Sequence, residues 1–163
     1  TLFEAVKDLP VKVKVATKQE VVTGLEVPKN VEILLNVPHE KMPALYQGSL
    51  FAVVPLRDWN DPEGSDTSGQ YGYLEPMASG KAVIVSNKST VRDYIENGID
   101  GLLVPPGSSE ALREAIQKLL SDEDLRNRLG VAARKKVLEQ FTSKKFAESL
   151  AIIFRNVILE PEI

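Results

Sequence analysis

The chain has 163 residues, 43% of them hydrophobic and 26% charged, with a net charge of −3 and no cysteine. That is an ordinary globular composition, long enough for one domain with a sizeable core. It excludes disulfides and Cys-ligated metal, any general electrostatic pull toward nucleic acid, and an apolar run long enough to cross a bilayer. Absence of cysteine also suits a reducing compartment, and no basic-then-apolar leader opens the chain. Thr1 falls where no Met precedes a helical pattern of Leu2, Phe3 and Val6, so the chain reads as a piece of a longer protein.

Two hydrophobic periods alternate along the sequence. Residues 11–15 switch Val, Lys, Val, Lys, Val, which predicts a strand with one wetter face. Residues 31–35 follow a Pro-Lys-Asn turn and predict the next strand, and residues 38–46 predict a short helix. Continuous apolar runs at 50–54, 82–85 and 101–104 predict strands covered on both faces, the last stopped by Pro105 and Pro106. Strands interleaved with helices imply an α/β domain with a parallel sheet. Beyond Pro106 three helices are expected. Ser108 or Ser109 caps the first, Ser121 with Asp124 resembles a capping box for the second, and Gly130 interrupts that second helix. Thr142 and Ser143 start the third, with Phe146, Leu150, Ile153 and Phe154 turned inward.

Between Leu56 and Gln70 the chain has no periodicity. A connection of that length at the end of a central strand is expected to be a substrate loop, or else a surface insertion. Trp59 within it either stacks on a base or sugar or packs the loop to the body. Asp58 and Asp61 do not make a calcium loop, because Pro62 and Glu63 occupy positions that need a ligand and a glycine. His39 is the single histidine and reads as helix-entry packing and hydrogen bonding; with no cysteine beside it, neither a zinc site nor a nucleophilic triad has material to build on. The basic cluster of Arg134, Lys135, Lys136, Lys144 and Lys145 reads as a solvated helix face, with membrane-surface contact as the sharper alternative.

The most informative stretch is residues 69–86, which packs a glycine-bearing loop, a short helix and a buried strand into a few turns. Pro76 suits a helix's first turn, which would put Glu75 at the helix start, where the dipole favours a carboxylate. Gly69 and Gly72 flank Gln70 and Tyr71 and would let backbone approach a ligand, while Gly80 would close the helix in a left-handed conformation. Backbone N–H groups facing an anion beside a carboxylate that grips hydroxyls would suit a nucleoside diphosphate joined to a sugar.

Residues 73–84 (Tyr-Leu-Glu-Pro-Met-Ala-Ser-Gly-Lys-Ala-Val-Ile) resemble the L-E-x-M-A-x-G-x-P-V-I signature of group 1 (family four) GT-B glycosyltransferases. Residues 37–46, 97–107 and 125–133 are similar to that family's flanking motifs, so the resemblance runs over nearly the whole chain. It implies a Rossmann-like, doubly wound parallel sheet, with residues 1–163 as one domain, the carboxyl-terminal nucleotide-sugar-binding half of the two-domain fold. It also implies that Glu75 binds ribose hydroxyls and that amides around Gln70, Tyr71 and Gly72 meet diphosphate and sugar. Gly69, Ser68 and Thr67 complete the implied donor site. Transfer with retention, without a bound metal or other cofactor, from a UDP- or GDP-linked sugar to a glycan or lipid hydroxyl is the implied activity. The implied setting is cell-envelope glycan synthesis in the cytoplasm or at the inner membrane face, with the acceptor held by the other domain and no catalytic side chain assigned within this one.

Departures are visible too. Many members carry a second Glu eight positions before Glu75, where this chain has Thr67 beside Asp66. A Gly-Gly pair and a Glu after the later strand appear here as Ser89, Thr90 and Asp93, with Lys88 alongside as either a phosphate contact or a solvated lysine. The family's first strand, its Gly-Arg turn and a following Lys would precede Thr1, so either the sheet lacks its first strand and these two cations or another segment supplies them. These departures motivate a second reading, a nucleotide- or sugar-binding module without chemistry; a third takes the fold as an interaction platform on which the long loop and the terminal helices dock a partner.

Overall fold

The computed structural model describes residues 1–56 and 70–159. In chain order the elements are α1 (Leu2–Val6), β1 (Val13–Thr17), α2 (Gln19–Val22), β2 (Val31–Leu35), a 3-10 turn (His39–Lys41), α3 (Met42–Gln47), β3 (Ala52–Val54) and α4 (Gln70–Ala78). There follow β4 (Val83–Ser86), a second 3-10 turn (Thr90–Asp93), β5 (Leu102–Val104), α5 (Ser109–Ser121), α6 (Glu123–Gln140) and α7 (Ser143–Leu159). The five strands among the described residues pair in parallel, in two ladders, β1–β2 and β3–β4–β5.

The pleat explains the layering. Along β4 successive side chains face opposite ways, and they enter two different cores. Ile84 joins Ala5, Val6, Leu112, Ile116 and Leu119 of α1 and α5. Val83 and Val85 join Tyr73 and Met77 of α4 and Ala133 and Val137 of α6. Helices therefore cover both faces of this sheet, the doubly wound arrangement expected from its apolar runs.

Several local expectations need correction. The first strand begins at Val13 rather than Val11, because the Asn30 amide donates to the carbonyls of Val6, Leu9 and Val11 and holds that stretch as a turn. The α6 cap is Asp122, whose Oδ1 accepts from the Leu125 N–H at 2.8 Å; Ser121 instead donates back to the Gln117 carbonyl. Gly130 does not interrupt α6. A Cβ there would fall on the Gly80 carbonyl oxygen, so the glycine lets the helix pass directly over the α4–β4 turn. The third terminal helix does not turn its stripe inward: Phe146, Ile153 and Phe154 are exposed. The Ser108 cap and the left-handed Gly80 are as the sequence predicts.

Candidate functional site

The helix carrying Glu75 is already running at Gln70, five residues before the start that its proline implies. α4 runs from Gln70, and Pro76 lies inside it. A proline there removes the backbone bond to the residue four before it. Its ring, however, is fully buried beside Tyr73 and Met77, and this 73/76/77 face seats the helix on the sheet. Burial of that face outweighs the lost bond. Glu75 is therefore in the second turn, and no acidic residue occupies the first. The dipole argument for Glu75 does not hold.

The same shift puts Gln70, Tyr71 and Gly72 at the amino-terminal end of α4 among the described residues, the end at which a helix has backbone N–H groups without intrahelical acceptors. Tyr71 and Gly72 precede Glu75 by four and three residues, so all three share one face. Glu75 lies about 7.5 Å further along the axis than Gln70, and helical side chains lean back toward the N-terminus. Gly72 has no left-handed backbone. Its smallness serves packing, since a Cβ would come within 3.3 Å of Val54 Cγ1 at the end of β3. Tyr71 points outward and is 79% exposed.

Two side chains from the preceding helical segment reach Glu75. The Tyr46 hydroxyl donates to Glu75 Oε2 at 3.2 Å, and His39 Nδ1 lies 3.4 Å from Oε1. Desolvation, then the charge of Glu75 and the hydrogen bond to it, push the Tyr46 phenol up to about 12. Tyr46 is thus a neutral donor across the ordinary pH range. Glu75 is one-quarter exposed and His39 is 81% exposed. Sequence alone assigns His39 helix-entry packing and hydrogen bonding, and assigns Tyr46 no role of its own. His39 and Tyr46 are seven residues apart, two helical turns, so their shared face was available in the 38–46 helix.

Lys88 is buried at 7% exposure and engaged with the protein, so the solvated-lysine reading is wrong. It follows β4, whose Ser86 Oγ accepts from the Leu56 N–H at 3.0 Å and closes the carboxyl end of β3 onto β4. Ser89 is exposed and opens the second 3-10 turn. Thr67, Ser68, Gly69 and Trp59 lie outside the described residues. Among the described residues no group of three or more His, Asp or Glu is placed to hold a metal. None of the described helices is long and apolar enough to cross a membrane.

A cavity of roughly 260 Å³ opens at the carboxyl ends of β3, β4 and β5, lined by Leu2, Val21, Leu56, Ser86 and Pro105 among others. A wider groove of roughly 430 Å³ lies between Arg92, Glu96, Asn97 and Lys136. Glu75 lines neither. Its carboxylate, one-quarter exposed, lies between Tyr46 of α3 and His39 of the first 3-10 turn.

Comparison with known proteins then fixes the family. The sequence profile of glycosyl transferases group 1 matches residues 13–136. The chain belongs to this family. The capsular polysaccharide biosynthesis glycosyltransferase CapM of Staphylococcus aureus is 34% identical over 89 residues, 55% of this chain and 23% of that protein. The D-inositol 3-phosphate glycosyltransferase of Corynebacterium urealyticum is 24% identical over 174 residues, 99% of this chain and 39% of that protein. Among solved structures, sucrose-phosphate synthase from Thermosynechococcus elongatus superimposes with a TM-score of 0.78 at 23% identity, covering 97% of this chain and 41% of that one. Anabaena HepE in complex with UDP-glucose gives 0.69 at 17% identity, over 92% and 44%. At these identities the structures establish the fold. The chain spans less than half the length of each of these group 1 relatives and structural neighbours.

Proposed function

We propose that this chain is the donor-binding part of a retaining glycosyltransferase of the hexosyltransferase type. The whole protein would move a sugar from a nucleoside diphosphate to a glycan or lipid hydroxyl. The observation that carries the reading is the face of α4 on which Tyr71, Gly72 and Glu75 fall together. First-turn amides attract phosphate oxygens. A carboxylate one turn further accepts from two neighbouring hydroxyls, as a ribose cis-diol offers. Negative charge grows on the leaving diphosphate as the glycosidic bond breaks, and fixed N–H donors stabilise it in that transition state.

Family membership and the UDP-glucose complex of HepE favour a UDP-linked donor, and the capsular role in CapM's name favours an envelope glycan as product. Among the described residues β1–β2 and β3–β4–β5 are separate ladders, which fits the absent first strand that the family resemblance implies. The acceptor would then sit on a second domain, in the cytoplasm or at the inner membrane face, and no metal is needed. In the full-length protein, Glu75→Ala is expected to weaken UDP or GDP binding at least roughly tenfold by calorimetric titration, about the loss of one charge-assisted contact. An unchanged titration removes Glu75 from the site.

A second reading, nucleotide binding without turnover, is motivated by Thr67 standing where many members have Glu. Donor hydrolysis by the full-length protein separates the two. Many transferases leak sugar to water slowly, and absence of both leak and transfer across a panel of UDP- and GDP-sugars favours the module.

A further inference from the structure

Glu75 is held by two unequal partners. Tyr46 is half-buried on α3, and its carbonyl accepts from the Ser49 hydroxyl at 2.8 Å. The carbonyl of Gln47, the last residue of α3, accepts from Lys81 Nζ at 3.0 Å, tying that helix to the α4–β4 turn. The phenol therefore projects from an anchored support, with only two side-chain torsions to fix. His39 is the opposite. Its imidazole is 81% exposed, and a polar contact with so exposed a member contributes little. One carboxylate oxygen thus meets a fixed donor and the other meets a partner that water can replace.

Resting on the donor-binding reading above, we propose that Tyr46 is a positioning residue that presets the Glu75 carboxylate for a ribose diol, and that His39 is the place-holder the diol displaces from Oε1. A free glutamate has three side-chain torsions to order when it grips a ligand, and ordering them costs affinity. The Tyr46 bond orders them in advance and occupies one of the carboxylate's roughly four acceptor sites. The others remain for the two ribose hydroxyls once the imidazole swings into solvent. Tyr46 contacts the ligand only through Glu75, so its effect should follow the diol and leave the phosphates alone.

The test uses the full-length protein and three probes: whichever of UDP and GDP binds more tightly, its 2′,3′-dideoxy analogue, and inorganic pyrophosphate. In the wild type, loss of the two hydroxyls is expected to weaken binding at least tenfold. Tyr46→Phe is expected to weaken the ribonucleotide by roughly 3- to 10-fold, to shrink the ribo/dideoxy ratio by the same factor, and to leave pyrophosphate affinity within error. His39→Ala is expected to bind the ribonucleotide as tightly as wild type or up to about threefold tighter, since a competitor for Oε1 is gone. A ratio untouched by Tyr46→Phe, or pyrophosphate weakened in parallel, overturns the positioning role while leaving Glu75 as the diol ligand. Weaker ribonucleotide binding in His39→Ala overturns the place-holder. If Glu75→Gln leaves the ratio unchanged, or if neither nucleotide binds, the donor-binding reading itself falls and takes this inference with it.

Discussion

Tyr46 is the residue whose chemistry this arrangement changes most. Its ordinary value of 10.0 is pushed up to about 12, first by desolvation and then by the adjacent Glu75 carboxylate. A phenol whose pKa is higher folded than unfolded stabilises the native state fully below the unfolded value and loses that contribution as pH rises through the folded one. The stability difference between wild type and Tyr46→Phe should therefore be constant up to about pH 10 and shift in favour of Phe between about pH 10 and 12. Tyr73, also raised to about 12, is common to both proteins and cancels. Urea midpoints across that range check it; a difference independent of pH would mean that Tyr46 ionises no later in the folded protein than in the unfolded chain. Glu75 was singled out in the sequence through the residues around it. Tyr46 and His39 were not linked to it, because they meet Glu75 across 29 and 36 residues of chain and only the packing of α3 on α4 brings them there.

At the scale of elements, the strands were readable because their apolar runs and alternations are properties of single segments. Residues 31–35 form β2 as predicted, and the other strands differ by one or two residues at their ends. Helix ends were less readable where packing overrides a local preference. Pro76 suggests a start, but the buried face of Tyr73, Pro76 and Met77 continues the helix back to Gln70. Gly130 suggests a stop, but its neighbour is the Gly80 backbone, where no side chain can yield. This sets the sign of a substitution. Alanine in a helix interior gains about 1 kcal/mol over glycine, whereas a Cβ driven into a fixed backbone costs roughly 1–3 kcal/mol or more. Gly130→Ala is expected to be net destabilising by about 1–2 kcal/mol in chemical denaturation. A more stable variant would show that α6 can lift off the α4–β4 turn at little cost.

For the whole molecule, the α/β class followed from the alternation of the two periods, and the lining of both faces of β4 follows from its pleat. What one segment cannot reveal is which surface a helix meets. α7 repeats apolar residues at 146, 150, 153, 154 and 157, the spacing of a buried stripe. Yet Phe146, Ile153, Phe154 and Val157 are each more than half exposed, as is Ile152 beside them. Contiguous apolar surface of this kind marks an interface rather than a solvated face. Burying a single large side chain is worth about 1.5–3 kcal/mol, and association costs at least about 4 kcal/mol of lost freedom, so the stripes of both copies must bury together to give micromolar association. Residues 1–163 in isolation are accordingly expected to self-associate in sedimentation velocity at tens of micromolar. Ile153→Lys should weaken that association at least about tenfold, because a charge in the seam must be desolvated. A clean monomer at about 100 μM would mean that the stripe tolerates water, and a mixed oligomer indifferent to Ile153→Lys would place the contact on another face.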